Sequence, residues 1–215
     1  MQMRREYLYI FEACLSVKPT IKKILNVAGL VLISLGVQST ANAANYSVFE
    51  SQGRYVMAVN GHFGVGESVR FQRYLNQHRE INYVLLQSHG GYIDEAIKIG
   101  KQIHQAKLDT AVETYCYSAC FITLMSGQSR FIYNDAYVAV HRPFFEINRK
   151  TVFDQVNSIT YNKLANYFAL VLGDSAKSQQ VVKMMYAVPP RQTYQVRPDD
   201  QFLSFSYYSQ SGLED

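Results

Sequence analysis

Two kinds of hydrophobic spacing alternate along this chain. Tyr83-Val84-Leu85-Leu86 is an unbroken apolar run of strand length, the pattern of a strand covered on both faces. It leads into Ile93, Ala96, Ile97, Gly100 and Ile103, spaced near 3.6 residues, with Asp94, Glu95, Lys98 and Lys101 lying elsewhere. That spacing predicts an amphipathic helix beginning near Ile93. Residues 110–114 and 136–140 read as further strands, and residues 121–125 as a short apolar helical segment closed by Gly127. Upstream, residues 46–48 and 55–59 alternate like paired strands across Gln52-Gly53, and residues 65–75 read as a helix. Beyond Pro143, an approximately helical period runs through Val152, Val156, Ile159, Leu164, Phe168 and Val171, and residues 176–187 extend this second helical region. Strand and helix in this rhythm argue for an α/β domain with a parallel sheet and helices packed on it.

The first 43 residues follow different rules. Lys18, Lys22 and Lys23 flank an apolar stretch of 14 residues, 24–37, and Ala41-Asn42-Ala43 has the small-residue character of a leader cleavage site before Ala44. Fourteen residues are short for a membrane span, and the flanks suit a signal peptide with a long n-region. An uncleaved segment acting as an inner-membrane anchor, or translation from another start, is the alternative. Removal of residues 1–43 takes five of the 21 Lys and Arg and two of the 17 Asp and Glu, leaving 16 basic against 15 acidic residues. A near-neutral remainder without an arginine-rich stripe gives no reason to expect nucleic acid. The 172 residues from 44 to 215 suffice for one domain that buries about two-thirds of its surface.

Candidate chemistry gathers at three places. Ser118 sits in Tyr115-Cys116-Tyr117-Ser118-Ala119-Cys120, between a strand and the apolar helical segment. A serine there is an ordinary N-cap, or a nucleophile beside the unpaired N–H groups of a first helical turn. Gly90-Gly91, between the buried strand and its helix, is either a tight loop or a backbone free to approach a ligand closely. His141 ends the strand at residues 136–140, as a satisfied core group or as the general base for Ser118. Cys116 and Cys120 flank Ser118 symmetrically. In an oxidising compartment they could form a disulfide, or they pack as buried thiols. No second pair at ligand spacing accompanies them, so no metal or cofactor is expected.

The order Leu86-Gln87-Ser88-His89-Gly90-Gly91, Cys116-Tyr117-Ser118-Ala119-Cys120, Gly127-Gln128-Ser129-Arg130 and His141-Arg142-Pro143 resembles the Clp protease proteolytic subunit, and more closely the Clp-like periplasmic proteins of bacteria. The resemblance spans residues 59–143, with looser agreement to about residue 200. It implies a crotonase-type fold of repeated ββα units with a C-terminal helical region used for oligomer contacts. It also implies Ser118 as nucleophile, His141 as base, and the backbone N–H groups of Gly91 and Ala119 as oxyanion hole. The family's third triad position, an aspartate, falls on Gln192, a neutral amide that cannot stabilise an imidazolium; Asp199 or Asp200 takes the role if the loop before Pro198 runs differently. The expected function is an exported serine hydrolase, a peptidase for short or unfolded peptides. It would work without an ATP-driven unfoldase, since the periplasm lacks ATP. Two rivals stand beside it: a catalytically impaired Clp-like binding or assembly protein, motivated by Gln192, and a crotonase-type acyl-thioester enzyme, disfavoured by export because coenzyme A esters are cytosolic.

Overall fold

The run at residues 83–86 does form the centre of a sheet. In the computed structural model, which describes residues 43–208 apart from Gln52 and Asn134, β3 (Tyr83–Gln87) lies between β2 (Arg54–Asn60) and β4 (Asp109–Val112), parallel to both. The predicted leader, save Ala43, and Cys14 fall outside the described residues. β1 (Asn45–Ser51) closes one edge as the antiparallel partner of β2, and β6 (Arg130–Tyr133) and β11 (Ser206–Tyr208) extend the other edge in parallel. The resulting order is β1-β2-β3-β4-β6-β11.

Helices α1 (Glu67–Gln77) and α2 (Ile93–Ala106) cover this sheet. Ala96, Ile97, Ile99, Gly100 and Ile103 of α2 are buried, as the 3.6-residue spacing requires. A short helix α3 (Ala119–Leu124) is buried along its whole length. Two of its carbonyls, which a helix end leaves without intrahelical donors, are satisfied from outside: Tyr167 Oη donates to Ile122 O at 2.7 Å and Thr110 Oγ1 to Leu124 O at 2.7 Å. Helices α4 (Ile159–Leu172) and α5 (Ser175–Ala187) form a C-terminal antiparallel pair, each opened by a side-chain cap. Ser158 Oγ accepts from Tyr161 N, and Asp174 Oδ1 accepts from the N–H groups of Ala176 and Lys177.

A second, three-stranded sheet carries the functional segments. β5 (Tyr115–Tyr117) pairs in parallel with β7 (Tyr137–Val140), and β10 (Tyr194–Gln195) joins β7 from its other side in antiparallel register. The sequence pattern did not announce β5, which has three residues. A second difference follows His141. Val152 and Val156 were expected on a helix, but β8 (Phe144–Ile147) and β9 (Lys150–Phe153) form a hairpin, Val152 pairs with Phe145, and α4 begins only at Ile159. The cause is local: Asn148 and Arg149 both take positive φ, 51° and 61°, the turn a two-residue hairpin demands.

Candidate active site

Ser118 is held between the sheet and α3 in a conformation that L-residues rarely adopt, φ 56° and ψ −121°. Such backbone costs about 1–3 kcal/mol and persists only where surrounding structure imposes it. Here three constraints impose it. Ser118 N–H donates to Ala139 O at 2.9 Å, tying the turn to β7. Phe121 N–H donates to Ser118 O at 3.0 Å, closing the first turn of α3. The Cys116–Cys120 disulfide spans the turn, joining Cα atoms 5.3 Å apart. Ser118 Oγ caps nothing. The turn is a strained strand-to-helix connection, and its serine makes no N-cap bond.

The Gly90-Gly91 loop folds directly against this turn. A Cβ on Gly90 would lie 2.8 Å from Ala119 N and 3.0 Å from Ser118 Cβ, and its φ is +94°. No other residue fits that approach. Gly91, φ +147°, runs against the carbonyl of Phe63, and the two segments are stitched by Phe63 N–H to Gly90 O and Tyr92 N–H to Phe63 O, both 2.9 Å. Those bonds leave out the N–H of Gly91. Ala119 opens α3, so its N–H has no intrahelical acceptor either. Among the described residues, the amide of Gly91 and that of Ala119, which directly follows Ser118, both lack a backbone acceptor.

His141 follows β7, two residues beyond the carbonyl that fixes Ser118. Its Nδ1 lies 2.8 Å from the carbonyl oxygen of Arg142. A carbonyl can only accept, so Nδ1 carries a proton, which in the neutral ring places the lone pair on Nε2. Arg142 is itself immobilised, its guanidinium donating through Nε and Nη2 to Tyr186 O of α5. Pro143 is buried, and its carbonyl accepts from Asp154 N at 2.8 Å. The ring of His141 also packs on Phe144, centroids 5.3 Å apart.

The structure does not bring the predicted third position to the imidazole. Gln192 is exposed, and its backbone N–H bonds to Pro189 O. Tyr194 pairs with Val140, so one step further along the antiparallel register Thr193, not Gln192, stands level with His141. Asp200 is engaged elsewhere, Oδ1 accepting from Tyr194 Oη at 2.7 Å and Oδ2 from Arg197 N at 2.8 Å. Asp199 is exposed. The orienting partner of His141 is thus a backbone carbonyl, which no side-chain motif could announce.

Beside Ser118 lies an aromatic surface that motif reading missed. His89 stacks on Tyr115 at 4.4 Å and on Tyr117 at 5.2 Å, and Tyr117 meets Tyr137 at 5.3 Å. The alternation Tyr115-Cys116-Tyr117 was the available signal: both tyrosines point away from the buried Cys116. A groove of about 530 Å³ between α1 and α2, lined by Ser68, Gln72, Asn76, Lys98 and Gln102, does not include Ser118. Among the described residues no cluster of three or more His, Cys, Asp or Glu could hold a metal, and no helix is long and apolar enough to cross a membrane.

Neither a protein-family profile nor a curated protein matches this sequence. Solved structures do. A serine-to-alanine mutant of the membrane-bound stomatin-specific protease 1510-N aligns with TM-score 0.53 and 12% identity over 70% of this chain and 76% of its own. A lysine-to-alanine mutant of that protease in complex with a substrate peptide aligns at 0.51 and 12%, over 70% and 72%. ClpP1 from Listeria monocytogenes aligns at 0.51 and 14%, over 74% of this chain and 94% of its own. The described chain has the Clp-protease-like fold.

Proposed function

We propose that this protein is an exported serine hydrolase of the peptidase type. Ser118 Oγ attacks the carbonyl carbon of a peptide bond, and its proton passes to His141 Nε2. The oxygen of the tetrahedral intermediate is held by the N–H groups of Gly91 and Ala119. Collapse releases the amine with the proton from His141, and water, deprotonated by the same nitrogen, hydrolyses the acyl-enzyme. The observation that carries this reading is the strained Ser118 turn, φ 56°, with the amide of Ala119 and the Gly90-Gly91 backbone packed against it. A peptide is the natural substrate class because the groups at the site are those of acyl transfer, and one of the similar structures holds a substrate peptide. The tyrosine and histidine surface beside Ser118 gives apolar or aromatic side chains a place to rest. The exposed apolar hairpin bearing Phe144, Phe145, Ile147 and Val152 supports assembly with further copies of the chain.

One observation favours a second reading. His141 Nδ1 is bonded to a neutral carbonyl and, among the described residues, to no carboxylate, and replacing the carboxylate of such a triad by an amide costs on the order of 10⁴ in turnover. A peptide-binding protein with little turnover follows if that loss is complete. Fluorophosphonate labelling of the processed protein, mapped by mass and paired with Ser118→Ala, separates the two. Stoichiometric modification at Ser118 supports the hydrolase. Folded protein that resists the probe while binding peptides saturably replaces it with the binding protein.

A further inference from the structure

Glu67, the first residue of α1, is only 1% exposed. A carboxylate so deeply buried requires partners, and it has three. Arg70 Nη1 lies 3.1 Å from Oε1 and 3.2 Å from Oε2, Tyr46 Oη donates to Oε1 at 2.7 Å, and the backbone N–H of Ala44 donates to Oε2 at 3.1 Å. The third partner stands out, because Ala44 is the residue that follows the small-residue motif Ala41-Asn42-Ala43. Ala44 is fully buried and Ala43 is exposed. The surface of the fold therefore passes through the peptide bond that a leader peptidase would cut.

We infer that Glu67 is the binding site for the α-ammonium group released by cleavage between Ala43 and Ala44, an inference resting on the export reading above. Water supplies hydroxyl to the Ala43 carbonyl and hydrogen to the Ala44 nitrogen, which then takes up a proton at neutral pH. A neutral amide N–H on Glu67 becomes an ammonium in the same place, with three donors and a positive charge. Arg70 does not make this redundant, since its side chain is 38% exposed and partly solvated, whereas the Ala44 nitrogen meets the carboxylate in the interior. Charge-assisted bonds of this kind are roughly twice as strong as neutral ones.

The site lies one contact away from the oxyanion loop. A Cβ on Gly61 would lie 3.0 Å from Ala44 Cα, and two residues on, Phe63 is hydrogen-bonded to the Gly90–Tyr92 backbone. Leader removal thus fastens the segment on which Gly91 rests. Cleavage also gives up the bridge between Ala43 and His62, a small loss at the surface.

The full chain, leader included, is expressed in an export-competent bacterium and the processed protein isolated. N-terminal sequencing should begin at Ala44. A companion carries one glycine inserted between Ala43 and Ala44, so that processing leaves the ammonium one residue too far out. That insertion should lower Tm by about 5 °C or more, and the shift should shrink several-fold in a Glu67→Gln background. The α-amine of the parent should also react several-fold more slowly with an acylating ester than that of the glycine-extended chain, a readout that survives if Glu67→Gln does not fold. Equal shifts in both backgrounds, or equal amine reactivity, overturn the Glu67 site while a start at Ala44 leaves the export reading standing. A different processed terminus overturns both.

Discussion

Reduction of the Cys116–Cys120 disulfide should loosen the chain and slow the labelling proposed for Ser118 together. The bond closes a loop of five residues, and the chain-entropy relation for disulfides assigns a loop that short about 2 kcal/mol at 25 °C. For a domain of this size each kcal/mol corresponds to about 2–4 °C in Tm, so reduction should lower the melting point by about 4–8 °C. Both sulfurs lie at residues with no solvent exposure, so the freed thiols remain packed and little hydrophobic burial is lost to add to this figure. The functional effect comes through Ser118, whose positive φ is imposed partly by the bracket around it. Strain of about 1–3 kcal/mol becomes free to relax, and with 1.4 kcal/mol per factor of ten the rate of fluorophosphonate labelling should fall by about five-fold to a hundred-fold.

The assay is a pair of thermal melts by circular dichroism, with and without reductant, alongside labelling kinetics on the same samples and a thiol count proving complete reduction. The Cys116→Ala/Cys120→Ala double variant controls for direct effects of the reductant. An unchanged melting point and labelling rate, with two thiols titrated, would refute the claim that the disulfide holds the turn. A lowered melting point with unchanged labelling would leave the stability argument standing and assign the Ser118 conformation to the Ala139 and Phe121 hydrogen bonds alone.

Two further predictions concern carboxylates. Gln192→Asp should leave labelling and peptide turnover within about two-fold of the parent, because residue 192 is exposed, out of register with His141, and His141 Nδ1 is already engaged by Arg142; restoration toward full triad rates, near 10⁴-fold, would show that the loop moves to meet the imidazole. Glu95 carries the acid sensitivity. Burial pushes its carboxyl upward, but the N–H and hydroxyl of Ser68 and the ammonium of Lys98 outweigh that and hold it below the ordinary value of 4.5. A depressed folded-state pKa gives stability that is present above the unfolded value and lost as pH falls through the folded one. The urea midpoints of parent and Glu95→Gln should therefore differ most near neutrality and converge as pH falls below 4.5 and through the depressed folded-state pKa; a gap independent of pH would remove the ionised carboxylate from the account.

How far the site could be read from residue types depends on which part of the chain does the work. β3 and α2 were legible because burial on two faces and on one face leave different spacings in the sequence. The Gly90-Gly91 loop was legible at one remove: what it offers is backbone N–H, but only glycines tolerate the approach of Gly90 to Ala119 N, so the two glycines mark the place. β5 was hidden because three residues carry too little pattern. The β8–β9 hairpin was hidden because Val152 fits a helical projection as well as a strand, and the deciding residues, Asn148 and Arg149, act through φ.

The partner that orients His141 was illegible for a deeper reason. Motif alignment places side chains, whereas a β register places backbones, and a slip of one residue turns every side chain to the opposite face. β10 sets Tyr194 against Val140, which carries Gln192 past His141 whatever its chemistry. The imidazole is instead oriented by the carbonyl of the residue beside it, and that carbonyl is steady because the Arg142 side chain grips Tyr186 O in α5. His141 therefore depends on a helix more than forty residues downstream through the guanidinium of its neighbour. Loss of that grip should disturb the His141 ring while Ser118, fixed by β7 and the disulfide, stays where it is.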